Sequence, residues 1–216
     1  MPATAIRDLT QADLPTVARI HVAAFPTSAL TSLGQGAVER YYAWQLLGPH
    51  QCAASGVEAG DRLVGFCFSG IFHGSLSGFL RRNRAYLAFL LLCRPWLLGN
   101  EIVLARARSA LQILTRGKKK SSSTAAKDAV KSYGILAIAV DPTHQGSGAG
   151  KALMRHCEAL AQKAGFTQMH LTVNPDNGQA IGFYERGGWM RVIEEGAWKG
   201  FMRKPLQQTP AAMTQT

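Results

Sequence analysis

Residues 135–154 have the sequence Ile-Leu-Ala-Ile-Ala-Val-Asp-Pro-Thr-His-Gln-Gly-Ser-Gly-Ala-Gly-Lys-Ala-Leu-Met. An apolar run typical of a buried strand ends at Asp141-Pro142, and a glycine-rich turn over 145–150 then opens into a helical pattern. The first backbone N–H groups of a helix have no intrahelical acceptor, and the helix dipole is positive there. Glycines also let the backbone approach a ligand closely. This stretch therefore predicts a phosphate-bearing ligand, held between a strand and a helix.

The spacing of the glycines excludes two common nucleotide-binding loops. The dinucleotide pattern G-x-G-x-x-G fails because Lys151 and Leu153 stand where a third glycine is needed. The Walker pattern fails because Gln145 replaces its first glycine and Ala152 replaces the Ser or Thr that would hold magnesium. On this loop alone, a turn that only connects a strand to a helix explains the pattern equally well.

A second pattern downstream changes this balance. The loop fits Q/R-x-x-G-x-G/A, and the later residues fit N-x-x-A-x-x-x-Y-x-x-x-G-F/W. The residues that carry the two motifs are Gln145, Gly148 and Gly150, then Asn177, Ala180, Tyr184, Gly188 and Trp189. In this order they resemble the coenzyme A signatures of the GNAT superfamily of N-acetyltransferases. The resemblance is strong over 132–204, weaker over 4–71, and absent over 72–131.

The resemblance implies an α+β architecture of the GNAT type, with a mixed, mostly antiparallel sheet of six to seven strands flanked by helices. It divides the chain into two parts of a GNAT domain, 1–73 and 132–204, of which the second carries the coenzyme A motifs. Between them, residues 74–131 form a basic, partly apolar insertion, predicted as a helical hairpin with a flexible linker. Residues 205–216 are predicted to be a disordered tail.

Local patterns predict the individual elements. Strands are expected at 5–8, 52–58, 63–71, up to residue 140, at 168–173, and as a closing pair within 189–204; helices are expected up to about residue 24 and at 35–46, 148–163 and 177–186. In the insertion, Pro95 should end a helix that begins near Ala85. Apolar residues share one face over 100–116, and 117–124 has the composition of a flexible linker.

The positive charge is concentrated in the insertion. Residues 74–131 contain twelve basic and two acidic residues, so they carry +10 of the formal net charge of +11. A plain reading is a helical elaboration that packs its apolar face on the domain. A more specific hypothesis is that 76–120 contacts an anionic membrane surface or a phosphate-bearing acceptor. Polycationic acceptors are disfavoured by this charge.

Cysteine use and hydropathy indicate a cytoplasmic protein, with peripheral contact at the inner face of the membrane as the added hypothesis. The four cysteines show no C-x-x-C spacing and lie in apolar patterns, which favours buried reduced thiols. Residues 1–14 contain no apolar stretch of signal-peptide length, and no apolar run approaches a membrane span. No histidine, cysteine and carboxylate cluster has metal-ligand spacing, so no metal is expected.

The resemblance implies that the co-substrate is acetyl-CoA, although a longer acyl donor stays open. Loop amides would hold the pyrophosphate, the strand edge would pair with the pantetheine arm, and a strand amide would polarise the thioester carbonyl. The implied coenzyme A-binding residues are Ile138, Ala139, Val140, Gln145, Gly146, Ser147, Gly148, Ala149, Gly150, Lys151, Asn174, Asn177, Ala180, Phe183 and Tyr184. Tyr184 is the candidate general acid for the leaving thiolate, against a plain reading as a packed helix aromatic.

The general base is left open by the sequence. Glu58, which ends a strand, is the candidate named with Tyr184, but an exposed carboxylate without a catalytic role fits the pattern too. Four other residues, His73, Asp141, His144 and His170, are candidates by type. A chain of water molecules without a dedicated base is a further alternative.

The expected activity is acetyl transfer to a primary amine of a small molecule, such as an amino sugar or a phosphate-bearing sugar intermediate, in a ternary complex. The alternative is an acetyl-CoA sensor, or a module associated with nucleic acid or membrane, with little catalysis. Aromatic residues in the basic segment are too sparse to favour nucleic acid. A homodimer is left open.

Overall fold

The structure, a computed structural model, describes residues 4–95, 132–194 and 196–207. Within these ranges the strands are β1 Thr4–Asp8, β2 Gln51–Ala59, β3 Arg62–Ile71, β4 Ser132–Val140, β5 Gln168–Thr172, β6 Met190–Glu194 and β7 Ala197–Pro205. The helices are α1 Leu14–Ala24, α2 Ala29–Ser32, α3 Gln35–Leu47, α4 Ser75–Arg82, α5 Arg84–Cys93, α6 Ala149–Lys163 and α7 Gly178–Arg186. The expected strands and helices of the two GNAT segments are present within a few residues of their predicted bounds.

One seven-stranded sheet organises these residues, in the order β1-β2-β3-β4-β5-β7-β6. Neighbouring strands are antiparallel except β4 and β5, which are parallel. The predicted α+β class and mixed sheet are therefore confirmed. The parallel pairing extends only from Ser132↔Gln168 to Gly134↔His170, after which the two strands separate. This opening in the middle of the sheet positions the candidate site.

Apolar layers cover the sheet on both faces. Leu153 of α6 packs with Met169 and Met202 on one face, while Phe66 and Tyr42 pack with α1 on the other. Strand β3 lies beside the central strand β4 and is buried along almost its whole length. Burial on both faces explains why this strand is a continuous apolar run instead of an alternating pattern.

The described part of the insertion is helical. Helix α5 ends at Cys93, two residues before Pro95, as expected from the restriction that proline places on the preceding residue. Helix α4, over Ser75–Arg82, was not assigned from the sequence. The expected helical face at 100–116, the linker at 117–124 and most of the tail lie outside the described residues. No helix within the described ranges combines the length and apolar composition needed to cross a membrane.

Candidate active site

A cleft of about 500 Å³ lies where β4 and β5 separate. Its walls are the end of β4, the glycine loop, the first turn of α6, one face of α7 and the end of α1. The residues that line it are Ala24, Phe25, Ile138, Ala139, Val140, His144, Gln145, Gly146, Gly148, Ala149, Gly150, Lys151, Asn177, Gln179, Ala180, Phe183, Tyr184 and Arg186. Because it is bounded by α7 on one face of the sheet and by α1 on the other, the cleft connects the two faces through the gap.

The glycine loop presents unpaired backbone donors to this cleft. Gly146 and Gly148 adopt left-handed backbone conformations, with φ of +80° and +89°, which non-glycine residues rarely adopt. The amides of Gly146, Gly148 and Gly150 have no hydrogen-bond acceptor within the described part of the chain. Convergent N–H groups at the start of the fifteen-residue helix α6 are an arrangement that favours anion binding, and the anion site stays a prediction.

Asp141 anchors the loop to the rest of the domain. Its Oδ1 accepts hydrogen bonds from the backbone N and the hydroxyl of Thr143, at 3.1 and 2.7 Å. Its Oδ2 accepts one from Nη1 of Arg19 on α1, at 2.9 Å. These hydrogen bonds lower the pKa of Asp141 to about 2, and the bond from the Thr143 hydroxyl has the largest effect. The carboxylate is therefore committed to holding the loop and is not a candidate base.

Replacing Asp141 with asparagine is expected to lower the free energy of unfolding at pH 7 by about 1–2 kcal/mol. A carboxyl whose pKa is lowered on folding stabilises the protein above its unfolded pKa and loses this contribution as the pH falls through its folded pKa. The difference between wild type and Asp141→Asn should therefore shrink between about pH 4 and pH 2. Urea unfolding at several pH values measures it, and a difference independent of pH would contradict the assignment.

Strand β4 has a free edge along the cleft. Its register with β3 shifts between Ser69↔Ile135 and Phe68↔Ala137, so Leu136 is a bulged residue. From Ile135 onward, no described strand pairs with β4 on the β5 side. Backbone groups of 138–140 on that side are thus available to an extended ligand, and a bulge at this point re-aims the strand beside the cleft.

Helix α7 supplies the wall opposite β4. Asn177 caps it, since its Oδ1 accepts a hydrogen bond from the N of Ala180 at 3.0 Å. Phe183 and Tyr184 follow on the helix and line the cleft. Burial raises the pKa of Tyr184 well above its ordinary value, and its hydroxyl has no hydrogen-bond partner among the described residues. A protonated phenol with an uncommitted O–H group therefore lies at the gap.

The end of α1 forms the remaining wall and is held by a buried histidine. Nδ1 of His21 lies 2.9 Å from the Tyr42 hydroxyl, and Nε2 lies 3.3 Å from Oγ of Ser28. Burial lowers the pKa of His21 to about 4, so the ring is neutral at pH 7. The ring also contacts that of Phe25 at a centroid distance of 4.9 Å. His21 thereby fixes the position of Phe25 in the cleft.

The structure brings most of the expected site residues together. Thirteen of the fifteen expected coenzyme A-binding residues line the cleft. The exceptions are Ser147, whose Oγ accepts a bond from the N of Ala149 at 3.4 Å, and Asn174, whose Oδ1 accepts one from the N of Asp176 at 3.2 Å. Both side chains stabilise turns beside the cleft.

Glu58 is not brought to the cleft. It lies on β2 and pairs with Ala5 of β1 at the far side of the sheet. Its carboxylate accepts a 2.7 Å hydrogen bond from Nε of Arg7, whose guanidinium also binds Asp13. An ion-paired carboxylate outside the cleft has no access to an acceptor amine there. The structure therefore gives no support to Glu58 as the base.

Five lining residues were not in the expected set: Ala24, Phe25, His144, Gln179 and Arg186. Gln179 and Arg186 are spaced four and three residues from Phe183, so helical periodicity could have placed them on the same face of α7. The end of α1 has no such signal, because its approach to the cleft depends on packing across the sheet. Among the described residues, no group of three or more histidine, cysteine or carboxylate side chains could hold a metal.

Comparison with known proteins agrees with this geometry. Residues 113–189 match the model of the acetyltransferase (GNAT) family. A mycothiol acetyltransferase from Geodermatophilus obscurus is 34% identical over 65 residues, which cover 30% of this chain and 21% of that protein. The match thus spans about a fifth of the length of this relative.

Two solved structures have a similar fold. The Escherichia coli ribosomal-protein-S18-alanine N-acetyltransferase has a TM-score of 0.56 at 17% identity, covering 98% of this chain and 99% of that protein. The PaiA N-acetyltransferase of Thermoplasma acidophilum, in complex with coenzyme A, has a TM-score of 0.56 at 13% identity, covering 94% and 99%. The family match covers the glycine loop and α7, and the structural similarities show that the chain has the GNAT fold.

Proposed function

We propose that this protein transfers an acetyl group from acetyl-CoA to a primary amine by direct attack in a ternary complex. The observation that carries the proposal is the cleft through the sheet, which combines an anion-binding loop, a free strand edge and the phenol of Tyr184. A donor bound from the α7 side and an acceptor bound from the α1 side would meet in the gap. Holding both reactants in one cleft supplies much of the rate enhancement.

The glycine loop, β4 and α7 hold the donor. The unpaired amides of Gly146, Gly148 and Gly150 bind the pyrophosphate, assisted by the charges of Lys151 and Arg186. The pantetheine arm pairs with the free edge of β4 at 138–140. A β4 amide then donates a hydrogen bond to the thioester carbonyl, which stabilises the oxyanion that forms during attack. Asn177 keeps α7 in place through its cap.

Tyr184 assists departure of the sulfur. The neutral amine attacks the thioester carbon, and the C–S bond breaks as the tetrahedral intermediate collapses. The phenol donates a hydrogen bond and then its proton to the developing thiolate. Because burial raises its pKa, Tyr184 still carries its proton when the thiolate forms. The attacking nitrogen loses one proton as the amide forms, and this proton returns to the phenolate directly or through water.

The acceptor belongs to the class of small molecules with a primary amine. Amino sugars and phosphate-bearing sugar intermediates remain the first candidates, because the +10 charge of residues 74–131 attracts anionic groups and repels polycations. The partial match to a mycothiol acetyltransferase adds the unacetylated form of mycothiol to the acceptors worth testing.

Calorimetry with acetyl-CoA and a CoA-release assay test this function. The amines should include amino sugars, sugar nucleotides, unacetylated mycothiol and a peptide with an N-terminal alanine. Because Cys93 is exposed, a reaction without acetyl-CoA corrects for protein thiols. We expect micromolar or tighter binding and release of one CoA per amide formed. Absence of binding would refute the proposal, and binding without release on any amine would favour a sensor.

A further inference from the structure

His170 lies at the point where the sheet opens. It is the last residue of β5 that pairs with β4, opposite Gly134. Its neighbours Met169 and Leu171 are buried among the side chains beneath α6. Because successive side chains of a strand point to opposite faces, His170 projects to the α1 side of the sheet. That is the side from which the proposed function brings the acceptor.

One ring nitrogen of His170 is hydrogen-bonded, and the other is available to a substrate or a water molecule. Nδ1 lies 2.7 Å from Oγ of Ser132 on β4. Nε2 has no hydrogen-bond partner among the described residues, and a Cβ built on Gly134 would lie only 3.0 Å from it. The ring therefore lies against the β4 backbone, in space that a side chain at 134 would occupy. His170 does not itself line the cleft, whose first β4 residue is Ile138, so the ring reaches an acceptor there through bound water molecules.

The surroundings keep this histidine neutral. Burial, and secondly the positive charge of Arg203 on β7, lower the pKa of His170. Arg203 is its cross-strand neighbour, and the ring of Phe201 lies 5.9 Å away. On β4 the neighbours are the hydroxyl of Ser132 and the glycine, and on β5 itself Gln168 and Thr172 carry no charge. Among the described residues, no carboxylate faces the ring to raise its pKa.

We propose that His170 is the general base of the acetyl transfer and that Ser132 is its positioning residue. This inference rests on the proposed function. In the reactive tautomer, Nδ1–H donates to Oγ of Ser132, and the Nε2 lone pair takes a proton from the ammonium form of the acceptor through bound water molecules. The neutral amine forms the new C–N bond, the C–S bond breaks, and Tyr184 protonates the sulfur. The second proton that the nitrogen loses as the amide forms returns to the Tyr184 phenolate. The imidazolium then releases its proton to solvent.

The other candidates for the general base lack either an uncommitted basic group or a position beside the gap. Asp141 and Glu58 are ion-paired with arginines. His73 is exposed at the start of the insertion, and His144 belongs to the phosphate loop, where its Nδ1 lies 2.9 Å from Oγ1 of Thr143. His170 alone among these combines partial burial, a position at the gap on the acceptor side and a free ring nitrogen.

The test compares His170→Gln and Ser132→Ala with His156→Gln, a matched change on α6 away from the gap. With an amine accepted by wild type, kcat/KM should fall with decreasing pH below an apparent pKa lower than that of an ordinary histidine. We expect His170→Gln to lose this limb and about 10²-fold of the rate at pH 7, with unchanged acetyl-CoA affinity. Raising the pH should restore part of the rate by deprotonating the amine.

Ser132→Ala should lose less rate and shift the apparent pKa, while His156→Gln should match wild type. A wild-type rate and pH profile in His170→Gln would overturn the role of His170 and leave the proposed function standing. A variant that lost rate equally at every pH would also overturn it, because that result indicates a structural role. If wild type bound acetyl-CoA but acetylated no amine, the proposed function would fail first, and this role with it.

Discussion

Replacing Tyr184 with phenylalanine is expected to lower kcat by about 10²–10⁴-fold, the usual range for loss of a positioned proton donor. The change removes one oxygen and keeps the ring contacts with Phe183 and Trp189, whose centroids lie 5.4 and 6.0 Å away. Acetyl-CoA affinity should therefore stay within about threefold, since the lost interaction forms only as the C–S bond breaks. Steady-state kinetics with calorimetry separates the two quantities.

The matched control is Tyr133→Phe, which removes a buried hydroxyl outside the cleft. That hydroxyl lies 3.2 Å from Oγ of Ser69, so the control should cost about 1 kcal/mol of stability and little activity. Wild-type turnover in Tyr184→Phe would show that another group, or water, protonates the thiolate. The tyrosine would then be a wall of the cleft only.

Replacing Gly150 with valine is expected to weaken acetyl-CoA binding by at least about 100-fold, roughly 2.7 kcal/mol. A Cβ at this position would lie 3.6 Å from Cγ2 of Val140 and 3.7 Å from Cζ of Phe183, which are ordinary contacts. The folded protein therefore has room for a Cβ at this position. That room is part of the cleft, between the loop and α7, where the donor must pass.

Calorimetry and a thermal melt test this expectation together. Ala159→Val, an exposed change on the same helix, controls for the cost of a β-branched residue in α6. Gly150→Ala should give an intermediate loss of affinity, because it adds one carbon to the same space. If Gly150→Val bound acetyl-CoA as wild type does, the donor would have to lie elsewhere.

The sequence was most informative where chemistry and fold are local. One continuous segment contains the strand that ends at Val140, the glycine turn and the helix after it. Residues 177–186 form a single helix with its N-cap. Their roles depend on spacing, which a sequence records directly. The fold class followed from the resemblance of the motifs in these two segments to those of the GNAT superfamily.

The features of the site that the sequence did not predict depend on contacts between segments that are distant in the chain. Phe25 reaches the cleft because His21 binds Tyr42 of another helix. The carboxylate of Glu58 is ion-paired because β1 brings Arg7 beside it. Position 170 stood among several candidates by type until the end of the β4–β5 pairing placed it at the opening. No periodicity within one element contains this information.

The short pairing of β4 with β5 has a consequence for the cohesion of the domain. Only three paired positions between β4 and β5 join β1–β4 to β5–β7. The two halves of the sheet therefore share few backbone hydrogen bonds, which are the rungs of the β-ladder. A pantetheine arm hydrogen-bonded along β4 would replace some of the missing rungs and act as a temporary strand. Ligand at 100 times its dissociation constant adds about 2.7 kcal/mol to the stability of the bound state. The co-substrate would then serve as a structural brace, tightening the whole molecule each time it binds.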